Sequence, residues 1–332
     1  ICTHAMAGII PGILRKGYAD RKSMQAKKKA ATGPKEVSYW DKKQHVKKIQ
    51  LNSLYGALLN RGSRFNDHRI GQSTTLSGRV IAKHMDSFVN EAITGEYNHT
   101  GKSVIYGDTD SVYFSAWPII KDEVEAGKIE WTRDVCVQMY DAIAEQLNLS
   151  FPSMMSRAFN CPEQNGAIIK GGRELIASNG IFIKKKRYAV MIFDMEGVRY
   201  DLLDEEEAKK KKVIYGVGKV KAMGLDLKRS DTPKVVQNFL GDILQDTLQG
   251  ANRHQIYEKT RTFKEMFTDL PPWEKGTPKR VNNLTTHTGN EAKNGKVNMP
   301  GHVRAAMNWN TLRRLNSDNH SLEIAAGLKI IV

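Results

Sequence analysis

Apolar positions recur at helical spacing through the first part of the chain. Residues 8 to 31 carry Ile13, Leu14, Tyr18 and Met24 among Arg15, Lys16, Arg21, Lys22 and Lys27 to Lys29, which predicts a basic helix stopped at Thr32-Gly33-Pro34. A second helix is expected from near Ser38 to about Leu59, so that the two form a helical hairpin joined at the Gly-Pro turn. A third runs from about Gly71 to Asn90 with Ile81, Met85, Phe88 and Val89 as its buried stripe, and a fourth over 130 to 148 on Val135, Met139, Ile143 and Leu147. Between these two helices the period changes to that of strands. Val104 to Tyr106 and Val112 to Phe114 flank a tight Gly107-Asp108-Thr109-Asp110 link, the pattern of a hairpin closed by a two-residue turn.

Further on, residues 181 to 194 read as one strand interrupted by charge, with Lys184, Lys186 and Tyr188 on one face and Lys185 and Arg187 on the other. The charge-dense segment Asp204 to Lys212 is expected to be a loop or hairpin tip. Thr232 as N-cap and Pro233 at the first helical position open another helix, striped by Val236, Phe239, Leu240, Ile243 and Leu244. Gly327 to Val332 reads as a strand cut off before its partner. Helices over one face of an antiparallel sheet define an α+β class.

Charge narrows the partner. The 332 residues carry 51 Lys+Arg against 36 Asp+Glu, a formal net charge of +15, which points to a polyanion such as nucleic acid. No stretch is apolar enough to span a bilayer and no lipidation signal is present, so a membrane is the weaker reading and a cytoplasmic setting is expected. Cys2, Cys136 and Cys161 are too widely spaced for a zinc cluster or a disulfide framework. With Ile1 in place of an initiator Met, the chain reads as an internal fragment of a longer protein.

Three patterns carry candidate chemistry. Asp108 and Asp110 stand at the hairpin tip around Thr109, whose β-branch resists the positive φ that such a turn asks for, so local strain is expected there. Two close carboxylates suit a dication, and magnesium completes its shell with water and substrate phosphates; an isolated Asp-x-Asp is otherwise an ordinary solvated turn. On the second helix Lys48, Asn52 and Tyr55 fall within an arc of roughly 60°, beside Gly56. A lysine there can meet a phosphate, a tyrosine can abut a base pair, and glycine permits close approach; the same spacing equally suits an amphipathic helix with Leu51, Leu54 and Leu58 buried. The four cations Lys184 to Arg187 must face solvent or an anion, a duplex backbone or an exposed strand guarded by lysine.

Together these stretches resemble the DNA polymerases of family B, most of all those of T-even-type phages. Tyr106-Gly-Asp-Thr-Asp-Ser111 is similar to the family's third motif, Lys48-Ile-Gln-Leu-Asn-Ser-Leu-Tyr-Gly56 to its second, and Lys185-Lys-Arg-Tyr188 with Asp194-Met-Glu-Gly-Val-Arg-Tyr200 to the elements that follow. The resemblance implies a right-hand polymerase fold with an antiparallel-sheet palm, helical fingers and a mostly helical thumb. It divides the chain into the end of an upstream palm segment (1–8), fingers (9–62), palm (63–222) and a truncated thumb (223–332). It implies that Asp110 and Asp108 are catalytic and hold magnesium, and that Arg21, Lys48, Asn52, Tyr55 and Gly56 bind the nucleotide. Lys185, Lys186, Arg187 and Tyr188 would hold the primer strand, Lys186 foremost as a groove contact, and Lys228, Arg229 and Arg304 the duplex backbone, with His302 a weaker candidate. Gln25 stands where the family has a lysine, for which Lys27 or Lys28 is the nearest substitute. Primer-template DNA and deoxynucleoside triphosphates are the implied partners, with the upstream polymerase portion and a sliding clamp as further ones. The family's further metal-binding aspartate lies upstream of the fingers, and no such motif precedes residue 8. The second of two magnesium sites would then be incomplete, and the isolated chain is expected to polymerise little or nothing. A split-polymerase subunit, a non-catalytic DNA-binding module on the same scaffold, and an unrelated magnesium phosphohydrolase are the alternatives. The acidic tip, the positive helix pair and the cationic segment are expected to serve one groove for primer, template and nucleotide.

Overall fold

The structure is a computed structural model that describes residues 8–282, 284 and 299–332, so most of the 1–8 segment lies outside the described residues. It forms two compact units, Ile1–Gly101 with Thr109–Val112, and Lys102–Asp108 with Tyr113–Val332.

The first unit holds three long helices, α1 (Ile9–Ala30), α2 (Pro34–Leu59) and α3 (His68–Thr94). α2 starts at Pro34, ahead of the expected Ser38, because proline at a first helical position gives up a hydrogen bond that is missing there anyway. α1 and α2 close against each other at Gly17, where a Cβ would fall 2.7 Å from Leu51 Cδ2. Lys28 pairs with Asp41 at 2.7 Å, Lys47 with Asp20 at 3.3 Å, and Lys27 lies 4.7 Å from the centre of the Trp40 ring. α3 is capped by Asp67, which accepts from the Arg69 N–H, and is longer at both ends than the apolar stripe suggested. Val89 is buried as expected, but so are His84, Ser87 and Asn90. These polar groups have local partners: Asn90 Nδ2 donates to the Glu96 carbonyl at 2.8 Å, and His84 Nδ1 lies 2.6 Å from the Tyr97 hydroxyl.

The boundary between the units crosses one hairpin, β1 (Val104–Asp108) and β2 (Ser111–Phe114). The second unit continues through α4 (Trp117–Glu125), α5 (Arg133–Phe159), α6 (Glu163–Gly166), β3 (Leu175–Lys184), β4 (Arg187–Met195), β5 (Val198–Arg199), α7 (Glu205–Lys211) and β6 (Lys219–Met223). It then runs through α8 (Lys234–Leu248), α9 (Arg253–Asp269), α10 (Pro272–Lys275), β7 (Pro278–Arg280), α11 (Gly301–Leu315) and β8 (Lys329–Ile331). β3, β5 and β6 all pair antiparallel with β4. The mixture of helices with small antiparallel sheets is the expected α+β class.

β4 is the centre of this unit, buried from Tyr188 to Asp194. One face packs Tyr188, Val190 and Ile192 against Tyr106, Tyr113 and Phe182, and the other packs Ala189 and Met191 against Leu244 and Leu248 of α8. α5 is capped by Thr132 and holds the end of β2, since the Tyr140 hydroxyl donates to the Phe114 carbonyl and accepts from the Ala116 N–H, each at 3.0 Å. It continues through Pro152 well past residue 148.

Four expectations are corrected. Residues 181 to 194 are not one strand: β3 and β4 fold back on each other, Lys184 pairs with Arg187, and Lys185-Lys186 form the turn with Lys186 at φ 61°. Four adjacent cations are cheaper at a solvated tip than in mid-strand, and the turn removes the simple two-face alternation. Asp204 to Lys212 is largely helix, because Asp204 caps it, three glutamates occupy its positive end and three lysines its negative end. α8 starts one residue later than expected, with Pro233 as the extended cap residue, and Thr232 Oγ1 donates instead to the Asp226 carbonyl at 2.9 Å. The terminal strand has its partner within the chain, since β8 pairs with β7.

Candidate nucleotide and nucleic-acid site

The acidic turn has the strain its sequence implied. Thr109 sits at φ 58°, a left-handed conformation that costs a β-branched residue about 1–3 kcal/mol. Asp108 closes β1 and is half-buried, while Asp110 stands exposed in the turn. Among the described residues no group of three or more His, Cys, Asp or Glu is arranged to hold a metal. A pair of carboxylates fits a cation that takes few protein ligands and fills its shell with water and phosphate oxygens, which is the habit of magnesium.

Within the second unit, β1 and β2 are clamped to the β3–β4 hairpin by four rings. Tyr106, Tyr113, Phe182 and Tyr188 have centroids 5.3 to 5.8 Å apart, each pair contributing about 0.5–1.5 kcal/mol beyond area burial. The Tyr113 and Tyr188 hydroxyls lie 3.2 Å apart, and burial together with that neighbour pushes the Tyr113 hydroxyl pKa well up. Tyr188 therefore belongs to the packed cluster. Lys184, Lys185 and Lys186 are exposed at the tip, whereas Arg187 donates to the Gly224 carbonyl at 3.0 Å and pairs with Asp226 at 3.6 Å.

The Asp194 to Tyr200 stretch is a hairpin of its own, turned at Glu196 (φ 51°) and Gly197 (φ 82°), as a two-residue turn of the primed type requires. Asp194, 1% exposed, is met by the Arg173 guanidinium, which also reaches Asp141 of α5. Burial opposes the ionised form of Asp201, but Arg199 at 2.7 Å and Arg133 at 3.0 Å outweigh it and hold the carboxyl below its ordinary range. This motif ties the sheet to α5.

In the first unit Lys48, Asn52 and Gly56 are exposed in one row along α2, with Tyr55 half-buried beside them. Among the described residues a Cβ on Gly56 would meet nothing within 4 Å, so none of them requires a glycine there. Arg21 donates to Gln44 at 3.3 Å. Lys27 and Lys28, the proposed substitutes at Gln25, are engaged with Trp40 and Asp41 across the helical hairpin.

Lys228 and Arg304 are exposed, and Arg229 is held by Asp231 through two bonds of 2.9 Å. Arg229 borders a cavity of about 490 Å³ lined also by Asp231, Lys279, Arg280, His302 and Lys329. The Arg229 hydrogen bond above all, with Lys279 adding to it against burial, lowers the Asp231 carboxyl to about 2. The β7–β8 register sets Arg280 directly opposite Lys329, a like-charge pairing that favours an anion between them. Lys279, Arg280 and Lys329 were absent from the sequence-derived site because no local pattern pairs residues some fifty positions apart.

Residues 1–136 match the family model described as DNA polymerase family B. The chain is 33% identical over 216 residues to a DNA-directed DNA polymerase of Escherichia phage RB69, covering 61% of this chain and 22% of that protein. It is 26% identical over 302 residues to a DNA-directed DNA polymerase of Enterobacteria phage T4, covering 86% and 30%, and 24% identical over 267 residues to a DNA polymerase of Pyrococcus glycovorans, covering 80% and 27%. It thus spans less than a third of the length of these relatives. The family match and the phage relatives agree with the motifs on the helical hairpin and the acidic turn.

Proposed function

We propose that this chain supplies the fingers (9–62), most of the palm (63–222) and part of the thumb (223–332) of a right-hand DNA polymerase, which adds deoxynucleotides to a primer under direction of a template. The observation that carries this reading is the four-ring clamp, which within the second unit fixes the strand ending in Asp108 to a hairpin bearing four cations. The primer 3′ oxygen attacks the α-phosphorus of the nucleotide, and pyrophosphate leaves. Lys48 and Arg21 neutralise triphosphate charge, Asn52 supports them, and Tyr55 with Gly56 abuts the nascent base pair. Lys185 and Lys186 hold the primer strand. Lys228, Arg304 and the cavity beside Arg229 follow the duplex by its phosphates. Asp108 and Asp110 would hold magnesium, which when bound supplies charge stabilisation at the attacking and leaving oxygens, with a further aspartate from an upstream family motif completing the site.

Primer extension tests this. The chain alone should extend a primer negligibly with magnesium and deoxynucleotides, and addition of a polypeptide carrying the upstream aspartate motif should restore synthesis that Asp110→Asn abolishes. Extension by the chain alone would overturn the expectation of an incomplete site, and extension indifferent to Asp110 would overturn the assignment.

A further inference from the structure

One hydrogen bond joins the acidic strand to the basic turn. The Tyr106 hydroxyl accepts from the backbone N–H of Lys186 at 2.7 Å. Tyr106 lies two residues before Asp108 on β1, and Lys186 occupies the left-handed position of the β3–β4 turn. Lysine has no preference for that conformation, so its neighbours must hold it there. On the opposite side Gly224, at φ 64°, approaches so closely that a Cβ would fall 2.0 Å from the Lys186 carbonyl oxygen. The peptide groups of Lys186 are thus gripped at the N–H and at the carbonyl. Tyr106 is fixed in turn by stacking on Phe182, centroids 5.4 Å apart, and by Tyr188 at 5.3 Å. The Tyr113 and Tyr188 hydroxyls face each other, so Tyr106 is the member of the cluster that bonds to the turn.

We propose that Tyr106 is a positioning residue for nucleic-acid binding: its hydroxyl aims the turn so that the Lys186 side chain reaches the groove of the primer duplex, and it keys that contact to the strand that ends in Asp108. This deepens the polymerase reading and rests on it. Loss of the Lys186 contact should withdraw one protein cation from the duplex, lowering the slope of log affinity against log salt by up to roughly 0.9.

The test is a double-mutant cycle on binding of a fluorescent primer-template duplex across a salt series, with the whole chain. Tyr106→Phe keeps the ring and should weaken binding roughly three- to tenfold, the range of one hydrogen bond, with a shallower salt slope. It should also speed hydrogen exchange at the Lys186 amide, while the melting temperature stays near that of the wild type. In a Lys186→Ala background Tyr106→Phe should have no further effect on affinity, and Tyr113→Phe, which spares the turn, should bind normally. Wild-type affinity in Tyr106→Phe, additive losses in the double mutant, or an equal loss in Tyr113→Phe would overturn the proposal while leaving the polymerase reading intact. Failure of the wild-type chain to bind the duplex at any salt would overturn both.

Discussion

Gly56→Ala separates what α2 needs for folding from what it offers to a partner. Glycine inside a helix is about 1 kcal/mol less favourable than alanine, and the added methyl meets no atom of the described residues within 4 Å, so the variant should gain about 0.5–1 kcal/mol of stability. Gly78 of α3 is equally open and Gly78→Ala should gain as much, whereas Gly17→Ala drives a methyl to 2.7 Å from Leu51 Cδ2 and should lose about 1–3 kcal/mol. Urea unfolding followed by far-ultraviolet circular dichroism reads all three. If a nascent base pair packs on the Gly56 backbone, the same methyl that stabilises the helix intrudes on the pair. An overpacking cost of about 1–3 kcal/mol is a roughly five- to 150-fold loss in affinity for the matching deoxynucleotide on a primer-template. Gly78→Ala should leave that affinity unchanged. A Gly56→Ala chain that is more stable and binds the nucleotide as the wild type does would refute the reasoning, because the glycine would then have no partner to serve.

Arg173→Met should destabilise the chain by about 3–5 kcal/mol in the same urea assay, because it strands the Asp194 carboxylate, 1% exposed, without its counter-ion; a loss below about 1 kcal/mol would contradict the ion-pair account. Asp231 has its carboxyl lowered to about 2, so the stabilisation that comes with its ionised form is fully present above the unfolded value near 3.8 and is lost as pH falls through about 2. A carbon-detected titration should place its midpoint near 2 in the wild type and return it toward 3.8 in Arg229→Gln; an unchanged midpoint would show that Arg229 is not the cause.

The parts of the fold legible in the sequence were those with local signals. The Gly33-Pro34 break and the β-branched Thr109 in a turn each determine geometry within a few residues. The β3–β4 turn was hidden because Lys185-Lys186 contains none of the glycine or asparagine that usually marks a left-handed position. Charge alone suggested a loop at Asp204 to Lys212, whereas the order of that charge, acidic first and basic last with Lys209–Glu205 at 3.0 Å, favours a helix. The packing of Tyr188 was not legible either: its sequence neighbours are exposed cations, yet its ring belongs to a four-member cluster and its hydroxyl lies beside that of Tyr113. The cavity beside Arg229 lay beyond sequence reach, since it depends on β8 returning to β7 from the far end of the chain.

The most direct measurement is the affinity of the chain for a primer-template duplex in magnesium, with and without the next matching deoxynucleoside triphosphate. The proposed polymerase site, built on Asp110 and Lys48, predicts that the matching nucleotide tightens duplex binding, that a mismatched one does not, and that Asp110→Asn and Lys48→Ala each abolish the effect. Tightening that persists in both variants, or none in the wild type, would contradict it.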